Sequence, residues 1–281
     1  MATAALGTSE LEQKSDCAAP RRPSGLRLAV VGKGGAGKSV VSATLARTLA
    51  RRGHRVLALD SDTLPGLSIS IGADVPDDVP LNAAAERNEK GRWRLVKGVG
   101  AARAVQRYAT DAPDGVRLLQ IGKTDRRGLG PNRASHQAFY QVVHRLDGVR
   151  SLDDWVILGD LPAGPRQAAY DWAPYAQRFL LVVEPTWQSM LTARRIVRIT
   201  STMRDDRAFS LVVNKATGAG DAERVQQFLG VPLLGVVPAD DAVKAAERAG
   251  VAVIDAAPDS PAVRAIARLA DALDAGNMDR L

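Results

Sequence analysis

Eight consecutive residues near the amino terminus constrain the fold of this chain more than any other feature. Residues 32–39 read Gly-Lys-Gly-Gly-Ala-Gly-Lys-Ser, which matches the phosphate-binding pattern G-x-x-x-x-G-K-[ST]. A short apolar run at 26–31 precedes the motif, and apolar residues at helical spacing follow it from Ser39 to Arg52. A buried strand, a glycine loop and a helix in this order predict the phosphate-binding loop of an α/β domain.

Each residue type in this loop suits one part of a nucleotide. Glycines adopt backbone torsions that side chains forbid, so the N–H groups of the loop can surround the phosphates. Lys38 is expected to reach the β- and γ-phosphates, and the Ser39 hydroxyl is expected to bind Mg²⁺. The predicted nucleotide-binding residues of the loop are Gly34, Gly35, Ala36, Gly37, Lys38, Ser39 and Val40.

A second lysine in the loop predicts an assembly as well as a site. Lys33 lies five residues before Lys38, at the rim of the loop, where it does not easily serve the same phosphate. It is better placed to reach a nucleotide held by another subunit. The motif therefore predicts that the chain pairs with a copy of itself around the nucleotide, with both lysines acting in catalysis.

The composition favours a cytoplasmic globular protein. The 281 residues are 46% hydrophobic, enough for one large α/β domain, and no apolar run reaches the roughly 18 residues of a membrane span. Cys17 is the only cysteine, which excludes an intrachain disulfide and fits a reducing compartment. The net charge of +7 suits either a polyanionic partner or an arginine-rich solvated surface.

Strands and helices alternate along most of the chain, which predicts a doubly wound, mainly parallel sheet with helices on both faces. A single ATPase domain is predicted at 26–275, between a disordered tail at 1–25 without a secretory signal and a short tail at 276–281. Residues 72–115 look irregular, with a ragged hairpin near Trp93. The predicted strands are 26–31, 55–59, 116–121, 155–158, 179–183, 211–213 and 233–237, and the predicted helices are 39–52, 64–71, 135–146, 186–202, 222–229, 242–249 and 261–275.

Acidic residues follow two of the predicted strands. Asp160 comes directly after the apolar run 155–158 and its glycine, and Asp60 and Asp62 follow the run 55–59. At the tip of a strand, Asp160 can hold Mg²⁺, Asp60 can support the metal shell, and Asp62 can orient or deprotonate the attacking water. The N–H of Gly164 can sense the γ-phosphate. Each aspartate could instead form a helix cap or a turn.

The run from Lys33 to Ser39 resembles the deviant Walker A motif of the MinD/ParA group of P-loop ATPases. The resemblance implies ATP-dependent dimerisation, with Lys33 contacting the partner's nucleotide, and Asp62 as the hydrolytic aspartate. It also implies one switch segment at 60–68 and a second at 160–164. Asn214, followed by Lys215, matches the asparagine that reads the adenine ring, and Pro238 and Asp240 match a loop near the base.

Within that group the chain is most similar to the CooC-type accessory ATPases of carbon monoxide dehydrogenase maturation. The similarity lies at 183–185 with Ser189, at 192–196 and at 234–250. CooC-type proteins carry a Cys-x-Cys metal motif in the loop after the strand that matches 116–121, whereas residues 128–133 here contain no cysteine. His136 and His144 alone make a poor metal site. The ATP-driven switch is therefore expected here, and the nickel-carrier activity is not.

Several functions remain open for a dimeric ATPase of this kind. The first is a maturation or accessory ATPase that acts on a protein client. The alternative is a ParA-like positioning ATPase whose ATP dimer binds nonspecific DNA through phosphate contacts. A MinD-like membrane role is disfavoured because 269–281 lacks a basic amphipathic face, and iron–sulfur redox transfer is excluded by the absence of core cysteines. The candidate DNA contacts are Arg194, Arg195, Arg198, Arg204 and Arg207.

Overall fold

The computed structural model describes residues 23–64, 66–75, 80–122, 133–165, 172–203 and 208–278. The strands are β1 Arg27–Gly32, β2 Val56–Asp60, β3 Ala85–Arg87, β4 Trp93–Leu95, β5 Thr110–Asp111, β6 Arg117–Gln120, β7 Val156–Asp160, β8 Arg178–Val183, β9 Ala208–Ala216 and β10 Leu233–Pro238. The α-helices are α1 Lys38–Arg51, α2 Gly66–Ile71, α3 Ala101–Tyr108, α4 Arg133–Val143, α5 Trp187–Met203, α6 Asp221–Leu229, α7 Asp241–Ala249, α8 Val253–Ala256 and α9 Pro261–Met278. Short 3-10 helices lie at Pro80–Ala84, Pro113–Gly115, Leu146–Gly148 and Arg150–Leu152.

An eight-stranded sheet organises the domain, in the order β10-β9-β8-β1-β7-β2-β6-β5. Every neighbouring pair in it is parallel except β5 and β6. The strand that precedes the glycine loop, β1, lies between β7 and β8. Parallel strands end at the same edge, so the segments that follow β1, β2, β7, β8 and β9 meet at one edge, where ligands bind in open α/β sheets.

Apolar side chains cover the two faces of the sheet separately, because successive strand residues point to opposite faces. One face, which includes Val30, Ala58 and Leu158, packs against α1, α2 and α9. The other, which includes Val31, Leu59 and Ile157, packs against α3, α4, α5 and α6. The sequence-based prediction of a doubly wound, mainly parallel α/β sheet is confirmed.

The predicted elements of the sheet are present, with shifts at several ends. Strand β9 is longer than predicted and covers Ala208–Ala216, α4 begins and ends earlier than predicted, at Arg133 and Val143, and α9 continues through Met278. The hairpin near Trp93 is present as the antiparallel pair β3 and β4. The predicted irregular character of 72–115 is wrong for 101–108, which form α3. Its buried residues are Ala101, Ala104, Val105 and Tyr108. Their spacing is helical, but two of the four are alanines, whose small side chains make the apolar periodicity hard to recognise in the sequence.

Several predictions fall on residues outside the described ranges. They are the disorder of most of the amino-terminal tail, the loop at 128–132, and the arginines at 204 and 207. Among the described helices, none combines the length and apolar character that a membrane crossing requires.

Candidate functional site

The glycine loop between β1 and α1 has the backbone shape that the motif requires. Gly35 and Gly37 have φ angles of 78° and 86°, in the left-handed region that favours glycine. A Cβ atom at Gly37 would lie 2.3 Å from Asn214 Nδ2, whereas one at Gly35 would meet no atom within 4 Å. Gly37 is also the residue before the first turn of α1. The glycine loop thus leads directly into the amino terminus of α1, an arrangement that suits an anion.

The two lysines of the loop differ in their surroundings. The Lys38 side chain is buried, and its Nζ donates a hydrogen bond to the carbonyl oxygen of Lys33 at 3.3 Å. Burial lowers the pKa of Lys38, and the nearby carboxylates of Asp160 and Asp62 oppose that shift. Lys33 is partly exposed, and its ammonium group forms no ion pair with the residues that the structure describes.

A buried carboxylate lies directly beside the loop, at the end of β7. The Ser39 hydroxyl donates to Asp160 Oδ2 at 2.6 Å, and the Ser42 hydroxyl lies 3.4 Å from Oδ1. Burial raises the pKa of Asp160 to about 6, while the Ser39 hydrogen bond and the Lys38 charge act in the opposite direction. Ser42 was not predicted, although it lies one helical turn after Ser39 and so shares its face of α1.

A second buried carboxylate, Asp60, lies next to the first because β2 and β7 place Asp60 and Asp160 in register. Burial raises the pKa of Asp60 well above its usual value, and the charge of Asp160 adds to that shift. Asp60 Oδ1 accepts from the Asp62 N–H at 3.2 Å, and Oδ2 accepts from the Ser68 hydroxyl at 3.3 Å. Ser68 in turn accepts from the side-chain amide of Gln120. Sequence reasoning missed Gln120 as a site residue.

Both predicted switch segments approach the glycine loop, and in the first a Cβ atom added at Gly66 would lie 3.2 Å from Ser39 Oγ. Asp62 is partly exposed, and its Oδ1 accepts from the Leu64 N–H at 3.1 Å. The Gly164 N–H donates to the carbonyl oxygen of Gly32 at 3.1 Å. In this conformation the N–H that was predicted to sense the γ-phosphate is therefore bonded to the glycine loop itself.

The opposite side of the loop is held by residues at the ends of β8 and β9. Asn214 Nδ2 donates to the Ala36 carbonyl oxygen at 2.7 Å, and Lys215 Nζ donates to the Gly35 carbonyl oxygen at 2.6 Å. Lys215 also forms an ion pair with Glu184 at 2.6 Å. Lys215 has a φ of 57°, a conformation that is uncommon for a side-chain-bearing residue and is associated with functional sites.

Two predicted residues near the base loop have clear structural contacts. Pro238 ends β10, and Asp240 caps two helices: Oδ1 accepts from the Ala242 N–H at 2.9 Å and Oδ2 from the Ala262 N–H at 3.0 Å. Although burial acts in the opposite direction, these backbone hydrogen bonds lower the pKa of Asp240. Val40, the last predicted residue of the loop, packs with the small apolar cluster around α7 and α8.

The donor set of the site suits a hard cation together with a phosphate chain. Ser39 supplies a hydroxyl oxygen, and Asp160 and Asp60 supply carboxylate oxygens, the ligand types that Mg²⁺ takes. Among the described residues, no three His, Cys, Asp or Glu side chains converge as a protein-only metal site. Mg²⁺ needs only a few protein ligands, because waters and phosphate oxygens fill the rest of its coordination shell. His136 and His144 instead contact the aromatic rings of Trp172 and Tyr140.

Comparison with known proteins gives one family and several relatives. The model of the CobQ/CobB/MinD/ParA nucleotide binding domain matches residues 28–253. An uncharacterised ATP-binding protein of Methanocaldococcus jannaschii is 25% identical over 228 residues, covering 78% of this chain and 87% of the relative. The carbon monoxide dehydrogenase accessory protein CooC of Rhodospirillum rubrum is 26% identical over 231 residues, covering 78% and 85% respectively.

Solved structures of low sequence identity share the fold. The cell division ATPase MinD of Pyrococcus furiosus matches with a TM-score of 0.67 at 24% identity, over 89% of this chain and 98% of that one. The septum site-determining protein MinD of Pyrococcus horikoshii, complexed with Mg-ADP, matches with a TM-score of 0.67 at 22% identity, over 88% and 95%.

Proposed function

The chain belongs to the CobQ/CobB/MinD/ParA nucleotide-binding domain family, and we propose that it is a Mg²⁺-dependent ATPase whose ATP-bound form is a homodimer. Residues 26–275 are proposed to act as one ATPase domain in the cytoplasm. The observation that carries the proposal is the 2.6 Å contact between the Ser39 hydroxyl and Asp160, beside the buried Lys38. It brings two magnesium ligand types and a phosphate-binding cation to one point on the glycine loop.

The residues around this point divide the work of phosphoryl transfer. The backbone N–H groups of the loop and Lys38 bind the phosphates, while Ser39 and Asp160 would hold Mg²⁺, with Asp60 in support. The metal, when bound, neutralises charge that develops on the phosphate oxygens. Asp62, whose backbone is fixed by Asp60, orients the attacking water. This role requires only a carboxylate held at the right position, because phosphoryl transfer demands little covalent chemistry from the protein.

Asn214 is proposed to select adenine. Its Nδ2 donates to the Ala36 carbonyl oxygen, and its Oδ1 is the acceptor that we propose meets the base. A hydrogen-bond acceptor suits the exocyclic amino group of adenine and not the carbonyl group of guanine. Lys215, Pro238 and Asp240 shape the surrounding loops.

The proposed dimer depends on Lys33. Its ammonium group is partly exposed at the rim of the loop, and a partner's triphosphate would supply the negative charge that it lacks within the described part of its own chain. Binding of ATP would then favour association, because each nucleotide is neutralised from both protomers. Similarity to CooC supports a maturation or accessory role on a protein client.

Three variants test this function by hydrolysis and by mass in solution. Lys38→Ala is expected to abolish nucleotide binding. Lys33→Ala is expected to bind ATP but to stay monomeric and inactive, and Asp62→Ala to accumulate as an ATP-bound dimer. Analytical ultracentrifugation with and without ATP and Mg²⁺ measures the association. A Lys33→Ala protein that hydrolyses ATP at the parental rate would refute the cross-subunit role.

A second candidate function is ATP-dependent binding of nonspecific DNA. It is favoured by three arginines that are exposed on α5, Arg194, Arg195 and Arg198. One of them already packs over an aromatic ring, with Arg194 Cζ 4.5 Å from the Phe228 ring centre. Binding to a duplex of mixed sequence, measured with ATP over a range of salt concentrations, tests this candidate. Affinity that falls steeply with salt supports it, and no binding in low salt removes it.

A further inference from the structure

A line of hydrogen bonds connects the predicted catalytic segment to strand β6. Gln120 Nε2 donates to Ser68 Oγ at 2.5 Å, and Ser68 Oγ donates to Asp60 Oδ2 at 3.3 Å. The other oxygen of Asp60 accepts from the backbone N–H of Asp62 at 3.2 Å. The line therefore begins at the end of β6, passes through α2 and ends at the backbone of the residue proposed to orient water.

The order of donors fixes the direction in which the serine hydroxyl points. A hydroxyl group has a single hydrogen and accepts through its lone pairs. Because the Gln120 amide occupies one lone pair of Ser68, the hydroxyl hydrogen is directed toward Asp60. Without that amide the hydroxyl is free to rotate, and the contact between α2 and Asp60 loses its fixed direction.

The burial of these polar side chains costs desolvation free energy, which indicates a functional reason for the line of hydrogen bonds. The relative exposures of Ser68, Asp60 and Gln120 are 0%, 2% and 8%. Gln120 continues an alternation of apolar residues that starts at Val116, just before β6, and includes Leu118, both fully buried. An apolar residue would therefore fit its position at lower desolvation cost. Strand pairing also fixes the base of its side chain, since Gln120 lies in register with Asp60.

We propose that Gln120 is a positioning residue for ATP hydrolysis, which acts through Ser68 and Asp60 on the segment that carries Asp62. The proposal rests on the proposed function of the site. Gln120 does not contact the glycine loop in this line, so its effect falls on turnover and not on nucleotide affinity. The hydrogen bond from Gln120 also connects β6 to α2, so the conformational order of residues 62–64 and 66–73 depends on the Gln120 amide.

The test compares Gln120→Met, Ser68→Ala and their double variant with the full-length parent. Methionine keeps an unbranched side chain of similar size and removes the donor. Gln141→Met is the matched control, because Gln141 is a half-buried glutamine whose side-chain amide, within the described ranges, hydrogen-bonds Leu95 and Trp93, away from the line. The measurements are kcat and KM for ATP, affinity for Mg-ADP, melting temperature, and amide hydrogen exchange of residues 62–73 with Mg-ADP.

Loss of one buried hydrogen bond predicts a kcat that falls roughly three- to tenfold in Gln120→Met, with KM and Mg-ADP affinity within about twofold. Ser68→Ala should show the same loss, and the double variant should be no worse, because the two residues act in series. Exchange of 62–73 should rise in all three and not in Gln141→Met.

Several results would overturn the proposal. They are a parental kcat with parental exchange in Gln120→Met, a parallel loss of kcat, affinity and melting temperature, or single-variant losses that add in the double variant. If Gln120→Met fails to fold, Ser68→Ala decides by the same measurements. If the parent binds ATP but does not hydrolyse it, the proposed function fails, and hydrogen exchange then decides separately whether the Gln120 amide orders the segment that carries Asp62.

Discussion

The two sides of the glycine loop are built from opposite chemistries. On the side of β7 and β2, which we call the acidic flank, Asp160 and Asp60 are buried carboxylates that accept hydrogen bonds from side-chain hydroxyls. On the side of β8 and β9, the bracing flank, Asn214 and Lys215 donate to the carbonyl oxygens of the loop itself. The acidic flank can bind a metal, whereas the bracing flank fixes the shape of the loop. Variants of the first should therefore change turnover, and variants of the second should change affinity.

The largest effect is expected for Asp160→Asn on the acidic flank. Asparagine is nearly isosteric and still accepts from Ser39, but it removes the charge that would hold Mg²⁺. We expect kcat for ATP to fall about 10²- to 10³-fold, the scale for losing one electrostatic stabiliser. Affinity for ADP measured in EDTA should stay within about threefold of the parent, a small change on the free-energy scale.

The control for Asp160→Asn is Asp154→Asn, at the other end of the same strand region. Asp154 is exposed and pairs with Arg55, so its loss should leave turnover unchanged. If Asp160→Asn lowered ADP affinity in EDTA as strongly as it lowered kcat, the division of roles between the two flanks would be wrong.

Gly37→Ala tests the contact between the loop and the bracing flank. The new Cβ would meet Asn214 Nδ2 at 2.3 Å, at a residue whose φ is 86°. The left-handed conformation alone costs alanine about 1–2 kcal/mol, and displacement of Asn214 adds to it. We expect ATP affinity to fall more than tenfold, measured by equilibrium dialysis.

Gly230→Ala separates these two contributions. Gly230 has a similar φ of 65°, with no atom within 4 Å of the added Cβ. It should lower the melting temperature and leave ATP affinity unchanged. Equal losses of ATP affinity in the two variants would show that the contact with Asn214 is not what makes Gly37 necessary.

A smaller effect is expected in the pH dependence of stability without metal or nucleotide. Because burial raises the pKa of Asp160 to about 6, the folded state favours its protonated form. The contribution of the protonated Asp160 to stability is complete below the pKa that Asp160 has in the unfolded chain. It is lost as the pH rises through about 6, the pKa in the folded state. The free energy of unfolding in EDTA should therefore fall by about 1 kcal/mol more between pH 5 and pH 7 in the parent than in Asp160→Asn. Equal pH dependence in the two proteins would contradict the raised pKa of Asp160.

The two flanks also differ in how far the sequence predicts them. Asp60 and Asp160 follow apolar runs, and parallel strands end at one edge, so their proximity was predictable. The contact of Ser68 and Gln120 with each other was not predictable, because it depends on the register of β2 with β6 and on where α2 packs. Likewise, Asn214 was predicted as a base-reading residue, but the hydrogen bond from its side-chain amide to the Ala36 carbonyl oxygen follows only from the three-dimensional path of the loop. Asp240 carries no sequence signal that separates a helix cap from a base contact.

The smallest effect is expected for Lys215→Met on the bracing flank. Its ammonium group bonds the Gly35 carbonyl oxygen and Glu184, yet the side chain is 48% exposed, and solvent screening limits such pairs to about 1 kcal/mol. We expect ATP affinity to fall about fivefold, with kcat at saturating ATP within about twofold of the parent. Lys97→Met, at an exposed lysine in the turn after β4, is the control and should change neither. If Lys215→Met lowered kcat without lowering ATP affinity, Lys215 would affect turnover, as the residues of the acidic flank do. The division of turnover and affinity between the two flanks would then be wrong.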